Sequence, residues 1–170
     1  GLDLALRAFA ALRHRHPAAA LVLAGPDRDG HGAALRALAA ELGVAAAVHF
    51  PGLVVGADKA ALLAGSDLLW LCSRMESFGN VVLEALAAGT PVVAVETTPW
   101  AWLAREDLGA HCAATPEAVA AATEGLLGRG RDPAFVQRAR AAVAARFSWP
   151  AVAARMGGLY EDALSARRAG

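Results

Sequence analysis

Two carboxylates, Glu76 and Glu84, stand eight positions apart in Glu76-Ser-Phe-Gly-Asn-Val-Val-Leu-Glu84, with Gly79 between them and an apolar helix start behind it. An ionised carboxylate only accepts hydrogen bonds, so it suits the hydroxyls of a sugar or a ribose. The residues between favour a different group. Free backbone N–H groups around Gly79 to Val82 would open a helix, and a helix N-terminus attracts phosphate. An acid beside phosphate repels it, so Glu76 and Glu84 are expected to face hydroxyls elsewhere on the same ligand. A phosphate flanked by two hydroxyl-bearing groups describes a nucleotide-sugar.

The elements that must position this block read as alternating strands and helices. A strand-like run, Asp67-Leu-Leu-Trp-Leu-Cys72, precedes it, and Pro91-Val-Val-Ala-Val95 follows it. Strand, loop, helix, strand is the unit of parallel sheets, and the loop at the C-terminal end of such a strand is where open α/β sheets bind ligands. Upstream, apolar spacing predicts a helix over 2–16, a short buried strand over 20–24 and a helix over 33–42 stopped by Gly43. A strand over 48–50 and a helix over 57–64 follow, with Asp58 in the first turn of that helix. Downstream come a helical turn over 99–104, an edge strand over 110–113, and helices over 116–128, 133–146 and 149 to about 166. Pro150 sits at a helix start, where its missing N–H does no harm. Apolar strands buried on both faces imply an α/β, Rossmann-like, doubly wound parallel sheet with C-terminal helices, in a single domain over 1–170.

Composition excludes several classes. The 170 residues carry no net charge and 19% charged residues, so neither nucleic acid nor an anionic membrane is an expected partner. The basic residues are fifteen Arg and one Lys, Lys59, which reads as a surface charge. No apolar run reaches the roughly 18 residues of a membrane span and no signal peptide is visible, so a cytoplasmic location is expected. Cys72 and Cys112 lack metal-ligand spacing and read as free thiols in a reducing compartment. Among the histidines, His14 and His16 suit a helix end and His49 alternates out of a strand; none has metal spacing. The arginines of the last helices, Arg138, Arg140, Arg146, Arg155, Arg167 and Arg168, read as a solvated face. Trp100, beside Pro99, either packs or lines the cleft. The run Gly25-Pro-Asp-Arg-Asp-Gly30-His-Gly32 is not the dinucleotide fingerprint, and no P-loop is present.

The block from Glu76 to Glu84, continued by Ala-Leu-Ala-Ala-Gly89-Thr-Pro91-Val-Val, resembles the donor-binding half of retaining "group 1" glycosyltransferases of the two-domain GT-B architecture. The resemblance covers most of the chain. Gly1-Leu-Asp-Leu-Ala-Leu resembles the end of the family's Lys-Gly-hydrophobic-Asp segment, and Leu21-Val-Leu-Ala-Gly25-Pro-Asp-Arg-Asp-Gly30 its second strand and turn. Val48-His-Phe-Pro-Gly52-Leu-Val54 is similar to its third strand. Thr98-Pro-Trp100 followed by Leu103 resembles a subgroup that builds lipopolysaccharide and other surface polysaccharides; where that subgroup continues Gly-Trp-Trp, this chain has Gly109-Ala-His-Cys112.

The resemblance implies roles. Glu76 contacts hydroxyls of the donor sugar and stabilises positive charge developing there, Glu84 holds the ribose, Gly79 lets the backbone approach the sugar closely, and Phe78 either binds the donor or packs in the core. Asn80 and Val81 offer backbone N–H groups to phosphate, while Val54 and Met75 touch the base. The expected donor is a UDP- or GDP-sugar and the expected acceptor a glycan or lipid-linked glycan, at the inner face of the membrane. No cofactor or metal is expected, because helix N-termini and basic residues hold the diphosphate. The resemblance also implies a first strand bearing an Arg and a Lys, and an N-terminal acceptor domain, neither of which is in this chain. A gap or an unpaired edge is therefore expected in the sheet. The alternatives are a nucleotide-sugar-binding module without activity and a sugar-nucleotide epimerase.

Overall fold

The computed structural model describes residues 1–27, 30–127 and 132–169. Its elements are α1 (Leu2–Arg13), β1 (Leu21–Ala24), α2 (His31–Glu41), β2 (Val48–Gly52), α3 (Gly56–Gly65), β3 (Leu69–Leu71) and α4 (Asn80–Ala88). They continue as β4 (Val92–Val95), α5 (Trp102–Arg105), β5 (Gly109–Cys112), α6 (Pro116–Leu127), α7 (Pro133–Phe147) and α8 (Trp149–Ala169). Arg28 and Asp29 of the turn after β1, Gly128 at the expected end of the sixth helix and the side chain of Arg168 lie outside the described residues.

Every strand pairing is parallel. In β4, Val92, Val93, Ala94 and Val95 are all fully buried, which is why the strand reads as an unbroken apolar run rather than an alternating one. Its side chains divide by the period of two. Val93 and Val95 pack with Ala5 and Ala8 of α1 and Val119 of α6. Val92 and Ala94 pack with Val82, Ala85 and Leu86 of α4 and with Phe135 and Ala139 of α7. Helices thus cover both faces, as the sequence predicts.

The sheet is hydrogen-bonded in two pieces, β1-β2 and β3-β4-β5. Among the described residues β1 and β3 are each paired, as strands, on one side only. Helix α1 spans the break. Leu6 and Phe9 face the core under β1 and β2 with Leu35, Ala39 and Val48, while Ala5 and Ala8 face the core under β3 and β4.

Several boundaries differ from the sequence reading for local reasons. α1 stops at Arg13, not at 16, because the N–H groups of Arg15 and His16 both turn back to the Leu12 carbonyl and Pro17 disfavours helix at the residue before it. β3 is shorter than 67–72; its ladder to β4 begins where Leu69 meets Val92. α5 begins at Trp102, after a turn in which the Thr98 N–H returns to Val95. α8 runs on to Ala169.

Two helix ends show why glycine stands there. After α2, Gly43 (φ 71°) donates to Ala40 and Val44 donates to Ala39, a Schellman closure. After α4, Gly89 (φ 80°) has the same left-handed backbone, and a Cβ there would lie 2.8 Å from Cγ2 of Val136. Gly89→Ala is therefore expected to destabilise by about 2–4 kcal/mol, the sum of left-handed strain and overpacking. Urea denaturation reads this directly, and an unchanged midpoint would contradict it. α7 is opened by Asp132, whose carboxylate accepts the Phe135 N–H at 2.6 Å, with Pro133 at the first helical position.

Cys72 and Cys112 are free. Leu71 opposes Ala94 and Val95 opposes Cys112, so one strand separates the two cysteines. Two strand spacings are about 9–10 Å, beyond the roughly 7 Å that a disulfide spans. Burial, and then the neighbouring Cys112, push the Cys72 thiol up to about 12. α8 packs against α7 and leaves Trp149, Leu159, Tyr160 and Leu164 exposed. No helix among the described residues is long and apolar enough to cross a membrane.

Candidate functional site

The loop between β3 and α4 leaves the C-terminal edge of the sheet and carries most of the expected site. It ends at Gly79, whose left-handed backbone (φ 81°) forms the N-cap of α4 with no side-chain cap. The helix end is therefore left to backbone N–H groups alone. A side chain at Gly79 would meet Leu71 Cδ2 at 3.2 Å, Trp100 Nε1 at 3.3 Å and Glu76 Cδ at 3.4 Å, so backbone geometry and space both call for glycine. The Val82 N–H is not free, as the sequence reading had it: it donates to the Gly79 carbonyl at 2.9 Å and tightens the first turn. That leaves Asn80 and Val81 as the N–H groups the site has to offer.

Glu76 is half-buried and held at both carboxylate oxygens. Ser73 Oγ donates to Oε2 at 3.2 Å, and the Phe78 N–H donates to Oε1 at 3.3 Å. Thr97, just past β4, donates from Oγ1 to the Ser73 carbonyl at 2.6 Å. On the other side Arg74 pairs with Asp3 of α1 at 2.6 Å. Burial raises the Asp3 pKa, but the hydrogen bond and charge of Arg74 outweigh it, and the net shift is downward.

Glu84 lies on the second turn of α4, exposed, and its Oε2 meets Lys59 Nζ of α3 at 2.5 Å. Lys59 is a surface charge, as expected, and also the partner of an expected ligand-binding acid. The sequence signal was its place one turn into the helix that packs against α4. Met75 is almost wholly exposed, and Val54, two residues past β2, is half-buried. Both sit beyond C-terminal strand ends, but on different pieces of the sheet.

Phe78 lies between its two expected roles: partly exposed, with its ring 5.3 Å from Trp100 and 5.6 Å from Phe147. Trp100 packs; it is 1% exposed. What the sequence did not disclose is that its indole N–H reaches back to the Phe78 carbonyl at 2.5 Å. A cleft of about 270 Å³ adjoins the loop through Ser73 and Arg74 and is lined also by Asp3, Arg7, Cys72 and Thr97. None of the expected donor contacts lines it. No group of three His, Cys, Asp or Glu among the described residues is arranged to hold a metal.

The arrangement can accept hydroxyl hydrogen bonds at two acids, one braced in a loop and one on a helix face, with an open helix end between them. The family model for glycosyl transferases group 1 matches residues 1–141. A D-inositol 3-phosphate glycosyltransferase of Stackebrandtia nassauensis is 36% identical over 189 residues, covering 97% of this chain and 39% of that protein. The solved structure of WaaG, a glycosyltransferase involved in lipopolysaccharide biosynthesis, is 30% identical with a TM-score of 0.67, covering 82% of this chain and 38% of its own. Anabaena HepE, solved in complex with UDP, superposes with a TM-score of 0.77 over 95% of this chain and 45% of its own; at 22% identity that likeness shows the fold. The chain spans about two-fifths of the length of the curated relatives it matches over most of its length.

Proposed function

This chain belongs to the group 1 glycosyl transferases, and on that premise we propose that residues 1–170 are the donor-binding half of a longer retaining enzyme that moves a sugar from a nucleoside diphosphate onto a hydroxyl acceptor. The observation that carries this reading is the braced Glu76 beside an uncapped helix end at the C-terminal edge of a parallel sheet. Phosphate is drawn to the α4 N-terminus at Asn80 and Val81. The sugar then falls toward Gly79, Phe78 and Glu76, and the nucleoside toward Glu84, Val54 and Met75. In the transition state positive charge grows on the sugar, and a fixed anion at Glu76 stabilises it without having to reorganise. Glu84 accepts from ribose hydroxyls, the role an acid plays in dinucleotide folds.

UDP- and GDP-sugars are the donors we favour, with the diphosphate held by helix N–H groups and basic residues rather than by a metal. Two acceptor classes have support. Likeness to WaaG favours a glycan or lipid-linked glycan of a bacterial surface polysaccharide, and a cytoplasmic enzyme at the inner membrane face. The D-inositol 3-phosphate glycosyltransferases favour a phosphorylated cyclitol. A strand between β1 and β3, supplied by the longer protein together with an acceptor domain, would join the two sheet pieces.

Titration of the chain with UDP, GDP and ADP, followed by NMR, tests the site. Shifts are expected at Val54, Met75, Glu76, Asn80, Val81 and Glu84. Shifts confined to α6, α7 and α8 would overturn the assignment. Release of nucleoside diphosphate coupled to acceptor glycosylation, measured on the longer enzyme, separates a transferase from an epimerase or an inactive binding module.

A further inference from the structure

Both groups that hold the Glu76 carboxylate are themselves held by one short segment, the loop after β4. Ser73 donates to Oε2, and the Ser73 carbonyl accepts from Thr97. Phe78 donates its N–H to Oε1, and the Phe78 carbonyl accepts from Trp100. We propose that Thr97 and Trp100 are positioning residues for Glu76, two struts that fix its carboxylate from the end of β4. This rests on the reading that Glu76 faces the donor sugar.

The segment is built to be rigid. Thr98, between the struts, turns both its N–H and its hydroxyl to the Val95 carbonyl, at 3.0 and 2.6 Å, and is buried. The Trp100 indole is clamped among Phe78, Trp102 and Phe147, at ring separations of 5.3, 5.8 and 6.3 Å. Pinning Phe78 at its carbonyl fixes the residue whose N–H meets Glu76, and the next residue is the left-handed Gly79 that opens α4. Phenylalanine at position 100 would fill much of the same space but place no N–H there. The ring and the hydrogen bond are therefore separable.

The test uses the longer enzyme with Thr97→Val, Trp100→Phe, and Trp100 replaced by β-(3-benzothienyl)alanine, an isostere without the N–H. Each is expected to lower kcat about tenfold, the low end of the range for removing an outer-shell partner of a metal ligand. Nucleoside diphosphate affinity is expected to stay unchanged for Thr97→Val and to fall less than kcat for the Trp100 variants, whose strut borders the α4 N-terminus. In a Glu76→Gln background the same changes are expected to cost nothing further, because the group they orient is gone. Equal losses with and without Glu76, or losses of nucleotide affinity that track kcat, would overturn the proposal. A readout independent of catalysis guards against poor folding or a wrong reaction. The isostere should move the Phe78 amide proton and the Glu76 carboxyl carbon in NMR spectra, and unmoved signals would refute the struts. A wild-type enzyme that transfers no sugar while those signals move refutes the functional reading and leaves the struts standing.

Discussion

Glu76→Gln in the longer enzyme is expected to lower turnover on the order of 10²–10³-fold while leaving the affinity for UDP or GDP unchanged. The change keeps the shape and the hydrogen bonds that Ser73 and Phe78 direct at the side chain only in part, and it removes the charge. A bare nucleotide has no sugar for Glu76 to meet, so its affinity is the internal control. Glu84→Gln is expected to do the reverse and weaken nucleotide binding, by at most about 1.5–3 kcal/mol for each good charge-assisted hydrogen bond. The Lys59–Glu84 pair complicates that reading, since it too is lost. Both side chains are more than a third exposed, however, and such pairs contribute about 0–1 kcal/mol. Lys59→Met separates the two effects: it should change affinity far less than Glu84→Gln. Equal loss of nucleotide affinity in the Glu76 and Glu84 variants would remove the division of labour between them.

Residues 1–170 on their own are expected to bind UDP or GDP in the millimolar range, about −4 kcal/mol, and to transfer no sugar. The family resemblance places an Arg and a Lys on a strand that is not among these residues, and each would add a charge-assisted contact worth roughly 1.5–3 kcal/mol. The helix N–H groups and Glu84 remain. No acceptor is positioned, and holding two reactants in place carries much of a transfer rate. Calorimetry on the chain beside the longer enzyme measures the gap in affinity. Micromolar binding together with sugar transfer by the chain alone would overturn the prediction.

The architecture was legible because its signals are local and of known period. β4 is continuously apolar because helices cover both of its faces, and Gly43 marks a helix end because its left-handed backbone closes α2. The acids of the proposed site stand out in the sequence for a different reason: Glu76 and Glu84 bracket a glycine at a strand-to-helix junction. What stayed hidden depends on contacts between segments far apart in the chain. Trp100 reaches Phe78 across 22 positions and Thr97 reaches Ser73 across 24. No propensity or spacing records such a bond. Lys59 read as a surface charge, and its pair with Glu84 did not show because that acid is on another helix. Boundaries such as the end of α1 turned on one proline and one doubly accepting carbonyl, a balance too fine for periodicity to read.

The break in the sheet also divides the molecule's cooperativity. β4 is bonded along both edges and buried at all four positions, so opening it breaks the ladders to both β3 and β5. The β1-β2 pair has one ladder, with a slip after Val22, and Val22 itself is 39% exposed. Two strands do not sustain themselves in water, so this pair, with α2, depends on Leu6 and Phe9 of α1 and on Trp70 of β3. It forms the weaker unit, able to unfold locally at a lower free energy than the whole. Val54 sits on that unit, and Glu76 on the stronger one. A nucleotide-sugar gripping both would bind only the closed form and would hold the weaker unit in place by mass action. Ligand occupancy and the folding of the β1-β2 lobe are then a single linked equilibrium.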